Sequence, residues 1–201
     1  MIIDSIEYSD KYELVRLTIE GESFYISYDF FHKYNFTKGD EVDFDLYKDI
    51  IEENSYNKAK NYVLKRISYA NKTSFELRNI LMNKDYDPSI IDRVMDFLDD
   101  YHLVDDEAYV RSFIRDKSEI NSWPRNKISF KLRAKGIDEE LIARALDELI
   151  DSDDEYEKAL YFAEKKARGD YSFENKNKVY RHLASKGFSY DIISRVIGEL
   201  F

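Results

Sequence analysis

The sequence predicts a mainly α-helical protein. Tandem three-helix repeats of helix-turn-helix type form an elongated, curved array, preceded by a small N-terminal β-meander with a helix. Three observations carry this. A helical pattern recurs with a period of 51 residues, marked by Leu81, Leu132 and Leu183. After each copy come a chain-reversal signal and a helix start: Asp85 then Asp87-Pro88, Gly136 then Asp138, Gly187 then Ser189. The first quarter is instead rich in β-branched and aromatic residues with partial alternation, as strands are.

Taken in order, Ile2, Ile3 and Ile6 start a first strand that turns at Asp10-Lys11. Tyr12 to Ile19 is a second strand, Glu20-Gly21-Glu22 a tight turn, and Ser23 to Ser27 a third strand. Ser27 caps a short helix from Tyr28 to Tyr34. Thr37 to Asp40 is a loop, and Glu41 to Asp43 adds a little strand. Asp43 caps a helix from Phe44 to about Glu53. A separate helix follows from Tyr56 to Tyr69, and Asn71 to Ser74 breaks it. Ser74 caps the next helix, which carries Leu77, Ile80 and Leu81. Ile91, Val94, Met95 and Leu98 then line a third helix after Pro88.

The second copy repeats the plan. Val110, Phe113 and Ile114 line its first helix, and Ile128 and Leu132 its second, from about Pro124 to Lys135. Leu141, Ile142, Ala145, Leu146 and Leu149 line its third. In the third copy Ala159, Phe162 and Ala163, then Val179 and Leu183, then Ile192, Ile193, Val196, Ile197 and Leu200 play these parts. The divisions fall at residues 1–54, 55–105, 106–153 and 154–201. Each three-helix core is small, so neighbouring copies are expected to pack on one another. Asp105 and Asp151, in the acidic joints between copies, are expected helix caps; the second joint lacks the central Gly and last Glu of a calcium loop.

Composition bounds the function. There is no Cys, which excludes disulfides and thiolate metal sites. No apolar run reaches the ~20 residues of a membrane span, and the start lacks a signal-peptide pattern. A cytoplasmic protein without membrane attachment is expected. His32, His102 and His182 stand in unrelated contexts, and phosphate-loop, nucleophile-elbow and zinc-protease motifs are missing. The expectation is a non-enzyme with no cofactor and no metal.

The net charge is −10, but nearly all of it sits in residues 1–54, at −9; the three following segments carry 0, −2 and +1. Two stretches hold bases and no acids. From Trp123 to Gly136 these are Arg125, Lys127, Lys131, Arg133 and Lys135. From Asn175 to Tyr190 they are Lys176, Lys178, Arg181 and Lys186. Any one lysine is ordinary solvated helix surface. The stretch-wide absence of acids in so acidic a chain points to an anionic partner, DNA phosphate or an acidic protein surface. Trp123 is either a plug between copies or an exposed anchor, with the core the expected place. The third helices offer one arginine each, Arg93, Arg144 and Arg195, too few to read bases.

Two motifs resemble the RecX family of bacterial recombination regulators. Tyr101-His102-Leu103-Val104-Asp105-Asp106-Glu107-Ala108-Tyr109 is similar to the family's hydrophobic-Asp-Asp-x-x-Tyr joint. Pro124-Arg125-x-Lys127-Ile128, followed by Leu132 and Lys135-Gly136-Ile137, is similar to its central motif. Leu14 to Ile26 with Lys38-Gly39-Asp40-Glu41 resembles the extension of longer members. The first copy departs from the pattern, with Asp85 in place of Gly and no Pro-Arg before its second helix. The resemblance implies a monomer that binds RecA, mainly as its filament on single-stranded DNA, with weak direct DNA binding. It also implies restraint of strand exchange, ATP hydrolysis and coprotease activity. The nine basic residues above are then the expected RecA and DNA contacts. The alternative from the residues alone is a helix-turn-helix-like DNA-binding regulator that acts without RecA.

Overall fold

The computed structural model describes residues 1–9 and 13–201. The turn at Asp10-Lys11 and the start of the second strand at Tyr12 lie outside the described residues. The chain forms two compact units, Met1–Val104 and Asp105–Phe201.

In the first unit, β1 (Ile3–Ser9), β2 (Leu14–Ile19) and β3 (Glu22–Ser27) form an antiparallel sheet in the order β1-β2-β3. Val15 pairs with Tyr8 on one side and Ile26 on the other. The expected extra strand is a single bridge, Ile2 to Glu41. One face of the sheet buries Val15, Leu17, Phe24 and Ile26 with Phe31 of α1 (Tyr28–Tyr34) and Ile50 of α2 (Phe44–Ile67). Ser27 and Asp43 cap α1 and α2 as expected.

The two helices expected at 44–53 and 56–69 are one. α2 runs unbroken through the expected boundary at 54/55 and serves two cores, with Ile50 in the sheet core and Tyr56, Ala59 and Val63 in the core of the first repeat. Its polar middle looked like a break because those residues close the outer edge of β3. The Tyr25 N–H donates to Asn54 Oδ1 at 3.0 Å, and Asn57 Nδ2 donates to the Tyr25 carbonyl at 3.2 Å. Glu53 Oε1 accepts from the Ser27 N–H at 3.3 Å and the Ser27 hydroxyl at 2.7 Å. An open strand edge is a template for unwanted pairing, and here side chains occupy it.

The first repeat is completed by α3 (Ser74–Met82) and α4 (Pro88–Asp100). Thr73, not Ser74, caps α3, because Thr73 and Glu76 have the spacing of a reciprocal capping box. The second unit holds α5 (Asp106–Arg115), a π-helical turn (Asp116–Ile120), α6 (Arg125–Arg133) and α7 (Glu139–Leu149). The third repeat follows with α8 (Ser152–Ala167), α9 (Phe173–Lys186) and α10 (Tyr190–Leu200). Asp105, Asp138, Asp151 and Ser189 cap their helices as expected. The π-helical turn had no counterpart in the periodicity.

The period has a physical origin. After each second helix the chain reverses through a left-handed residue, Asp85 (φ 56°), Gly136 (φ 74°) or Gly187 (φ 99°). The N–H of the next residue reaches back to the marker leucine: Tyr86 to Leu81, Ile137 to Leu132, Phe188 to Leu183. The left-handed residue's own N–H bonds to Met82, Arg133 or Ala184. All three are Schellman motifs, and Leu81, Leu132 and Leu183 are each fully buried. Asp85 manages without glycine at a cost of roughly 1 kcal/mol.

Repeats 2 and 3 pack through polar contacts. Glu155 accepts from the Arg125 N–H at 2.9 Å and so caps α6, which begins at a proline with no side-chain cap of its own. Lys158, one turn along α8, donates to the Ser118 carbonyl of the π-helical turn at 3.0 Å. Arg125 donates to the Ile150 carbonyl at 3.2 Å and pairs with Asp147.

Two buried carboxylates carry opposite pH signatures. Burial pushes the Glu53 carboxyl up, but hydrogen bonds from Ser27, Arg93 and Asn57 with the Arg93 charge outweigh it, so it lies below its ordinary value. Arg93 meets it at 2.6 Å. Glu53 therefore stabilises the fold fully above its unfolded pKa, and that contribution is lost as pH falls from there through its lower folded pKa. Glu53→Gln should flatten the acid limb of a melting-temperature profile and lower stability at neutral pH by about 2 kcal/mol. Glu155 is raised, chiefly by burial. Its charge opposes folding at neutral pH, and that penalty fades as pH falls through its folded pKa. Glu155→Gln, which keeps an acceptor oxygen, should hold or raise the neutral-pH melting temperature. Glu155→Ala should cost about 1 kcal/mol through the lost cap.

Candidate functional site: the basic faces of the second helices

The acid-free stretches of the sequence are not acid-free in space. Arg125 is met by Asp147 from α7 and held by the Ile150 carbonyl. Arg133 is met by Glu139 at the start of α7. These two arginines line the α6–α7 groove with Asn126 and Ser129, and their charge is spent inside the repeat. They hold the second repeat together.

The lysines are placed differently. Lys127 and Lys131 stand one turn apart on one side of α6, about 6 Å from each other, and Lys135 follows just past the helix end. Lys127 Nζ lies 4.2 Å from the Trp123 ring centre, and Lys135 Nζ 5.2 Å from that of Tyr109. Lys131 is exposed, 5.8 Å from the Phe130 ring centre. One period later α9 presents Lys178, His182 and Lys186 at the same places. Lys186 Nζ lies 3.9 Å over Phe162 of α8. Lys178 is exposed, and so is Arg181, whose Nε bonds to the Asn177 carbonyl of its own helix. Lys176 is half-buried. Among the described residues no carboxylate lies within ion-pair distance of Lys131 or Lys178. In the first repeat the corresponding positions are Glu76, Ile80 and Lys84. Lys84 still stacks on Tyr62 at 5.0 Å, so the terminal lysine is a structural feature of all three copies.

Trp123 is half-buried, edge-on to Phe113 at 6.4 Å, and joins the second repeat's core from its rim. Three features escaped the sequence reading. His182 belongs to the basic stripe, which a 51-residue shift of Lys131 would have shown. Burial, then Lys186 and Lys166, push its imidazole below the usual pKa. Phe130 is 66% exposed on the outward face of α6, between the lysine side and Arg133. The third-helix arginines are engaged: Arg93 and Arg195 lie 3.8 Å over Tyr56 and Tyr156, and Arg144 pairs with Glu107 at 3.8 Å. Among the described residues no helix is long and apolar enough to cross a membrane.

Comparison with known proteins places this geometry in a family. Residues 59–98, 105–146 and 153–197 match the first, second and third three-helix domains of RecX. Regulatory protein RecX of Clostridioides difficile (strain 630) is 36% identical over 84% of this chain and 80% of its own length. That of Finegoldia magna (strain ATCC 29328) is 32% identical over 98% of this chain and 99% of its own. A crystal structure of regulatory protein RecX superposes with a TM-score of 0.79 over 97% of this chain and 98% of that one; at 24% identity it attests the fold. The structure of RecX from Lactobacillus salivarius, 32% identical, gives 0.65 over 73% of this chain and 96% of its own. With all three domains matched and relatives aligned over nearly their whole length, this chain belongs to the RecX family of regulatory proteins.

Proposed function

We propose that the protein is a non-enzymatic, monomeric regulator that works in the cytoplasm, binds RecA and its filament on single-stranded DNA, and lowers strand exchange, ATP hydrolysis and coprotease activity. Membership of a family whose curated relatives are named regulatory proteins carries the reading. The lysine stripes of α6 and α9 support it, because Lys131 and Lys178 are exposed and, among the described residues, have no carboxylate within ion-pair distance. A filament repeats its surface at fixed intervals, and a tandem array of like units suits such a ligand through avidity.

The alternative, a helix-turn-helix regulator that reads duplex DNA alone, requires free side chains on the third helices. Arg93, Arg144 and Arg195 are tied to rings and carboxylates of their own repeats. That observation favours the RecA reading.

The test is the single-stranded-DNA-dependent ATPase of RecA, titrated with this protein. A dose-dependent fall is expected, and an unchanged rate sinks the proposal. Lys127→Glu, Lys131→Glu and Lys178→Glu combined should raise the half-inhibitory concentration about tenfold or more. Arg125→Glu is not an equivalent probe, because its guanidinium holds Asp147 and the Ile150 carbonyl inside repeat 2. Its expected outcome is a lowered melting temperature.

A further inference from the structure

The lysine stripes of repeats 2 and 3 meet. Gly187, the residue after Lys186, lies against the start of α6. A Cβ built on it would come 3.1 Å from Lys127 Cβ and 3.5 Å from Pro124 Cγ. The absence of a side chain there brings the end of α9 onto the first lysine of α6. The series Lys178, His182, Lys186 therefore adjoins Lys127 and Lys131 end to end across the repeat boundary, so the two are contiguous and not separate patches.

We propose that this line is one track for a phosphodiester strand, and that His182 makes its affinity proton-linked. The proposal rests on reading the second helices as the partner surface and names what touches them. Lysines hold phosphates as point charges without reading bases, whereas the forked arginines of α6 are taken up by Asp147 and Glu139. The exposed Phe130 ring beside Lys131 offers a flat apolar face on which a base can stack. A single strand presents charge along a line, which a line of cations matches better than a compact acidic patch does.

His182 occupies the position that Lys131 holds one period earlier. The charged groups around it are Lys178 and Lys186, one turn away on either side of α9, and Lys166 on α8. Burial and these cations favour the neutral ring. A phosphate seated among the same lysines reverses the field, raises the imidazole pKa and draws a proton. Binding thus tightens as pH falls through the window between the free and bound pKa values.

The experiment is fluorescence anisotropy of labelled oligothymidylate, whose base does not titrate between pH 6 and 8, at constant ionic strength. The expected result is about fivefold tighter binding at pH 6 than at pH 8. His182→Lys should bind at pH 8 as tightly as the wild type at pH 6, without pH dependence. His182→Asn should be flat at the weaker level. Lys127→Glu with Lys178→Glu should weaken binding about tenfold and shallow its salt dependence, with circular dichroism unchanged. A pH dependence that survives in both His182 variants overturns the linkage. No oligonucleotide binding, or affinity indifferent to the lysine reversals, overturns the track. If those reversals abolish RecA inhibition while the wild type ignores oligonucleotide, the surface serves an acidic protein and the strand proposal fails alone. Failure of the wild type to inhibit RecA at fixed pH overturns the earlier reading instead.

Discussion

The tight reversal between second and third helices is the constraint on which each repeat depends. A three-helix core of this size has few residues to spend, so the angle between its helices must be fixed locally. The Schellman bonds from Tyr86, Ile137 and Phe188 to the buried leucines do this. They satisfy carbonyls at the helix end and place an apolar residue under the turn. The same reversal sets where the charged side of the second helix points. At Gly187 it also sets how closely the third repeat approaches the second. Fold and candidate surface thus share one local device.

Charge is divided by residue type. Arginines with planar forks go to internal work: Arg93 on Glu53 and Tyr56, Arg125 on Asp147 and Ile150, Arg144 on Glu107, Arg195 on Tyr156 and Asp153. The first and third repeats use an aromatic ring below the arginine, and the second substitutes a carboxylate. Lysines sit at the rims of the cores with their ammonium groups over aromatic rings. A cation over a ring keeps its charge available to a third party more readily than one locked to a carboxylate. That is why, on α6, Lys127 and Lys131 rather than Arg125 and Arg133 offer accessible charge.

Most of the helical plan was legible in the sequence because caps and turns are local signals. Asp43, Asp87, Asp105, Asp138, Asp151 and Ser189 announce their helices within three residues. What the sequence hid was long-range. The polar run at Glu53-Asn54 reads as a helix break until β3, more than 25 residues earlier, is seen to need its oxygens. The site shows the same limit. Arg125 reads as a free cation because Asp147 and the Ile150 carbonyl lie 22 and 25 residues on. Lys131 and Lys178 are exposed on their helices, while the place of His182 in the row shows only when the chain is shifted by one 51-residue period onto Lys131.

The unbroken α2 has a consequence for how the molecule loses its structure. A single helix supplies Ile50 to the sheet core and Tyr56, Ala59 and Val63 to the first three-helix core. Neither core keeps its full set of contacts if the helix frays in the middle, where Glu53 and Asn57 tie it to β3. Sheet and first repeat are therefore expected to open as one cooperative unit, with amide protons in β3 and in the second half of α2 exchanging at a common rate. In this chain the N-terminal sheet and the first repeat are built on one shared helix. Removing the sheet leaves the first repeat with half a helix whose buried face was made for something else.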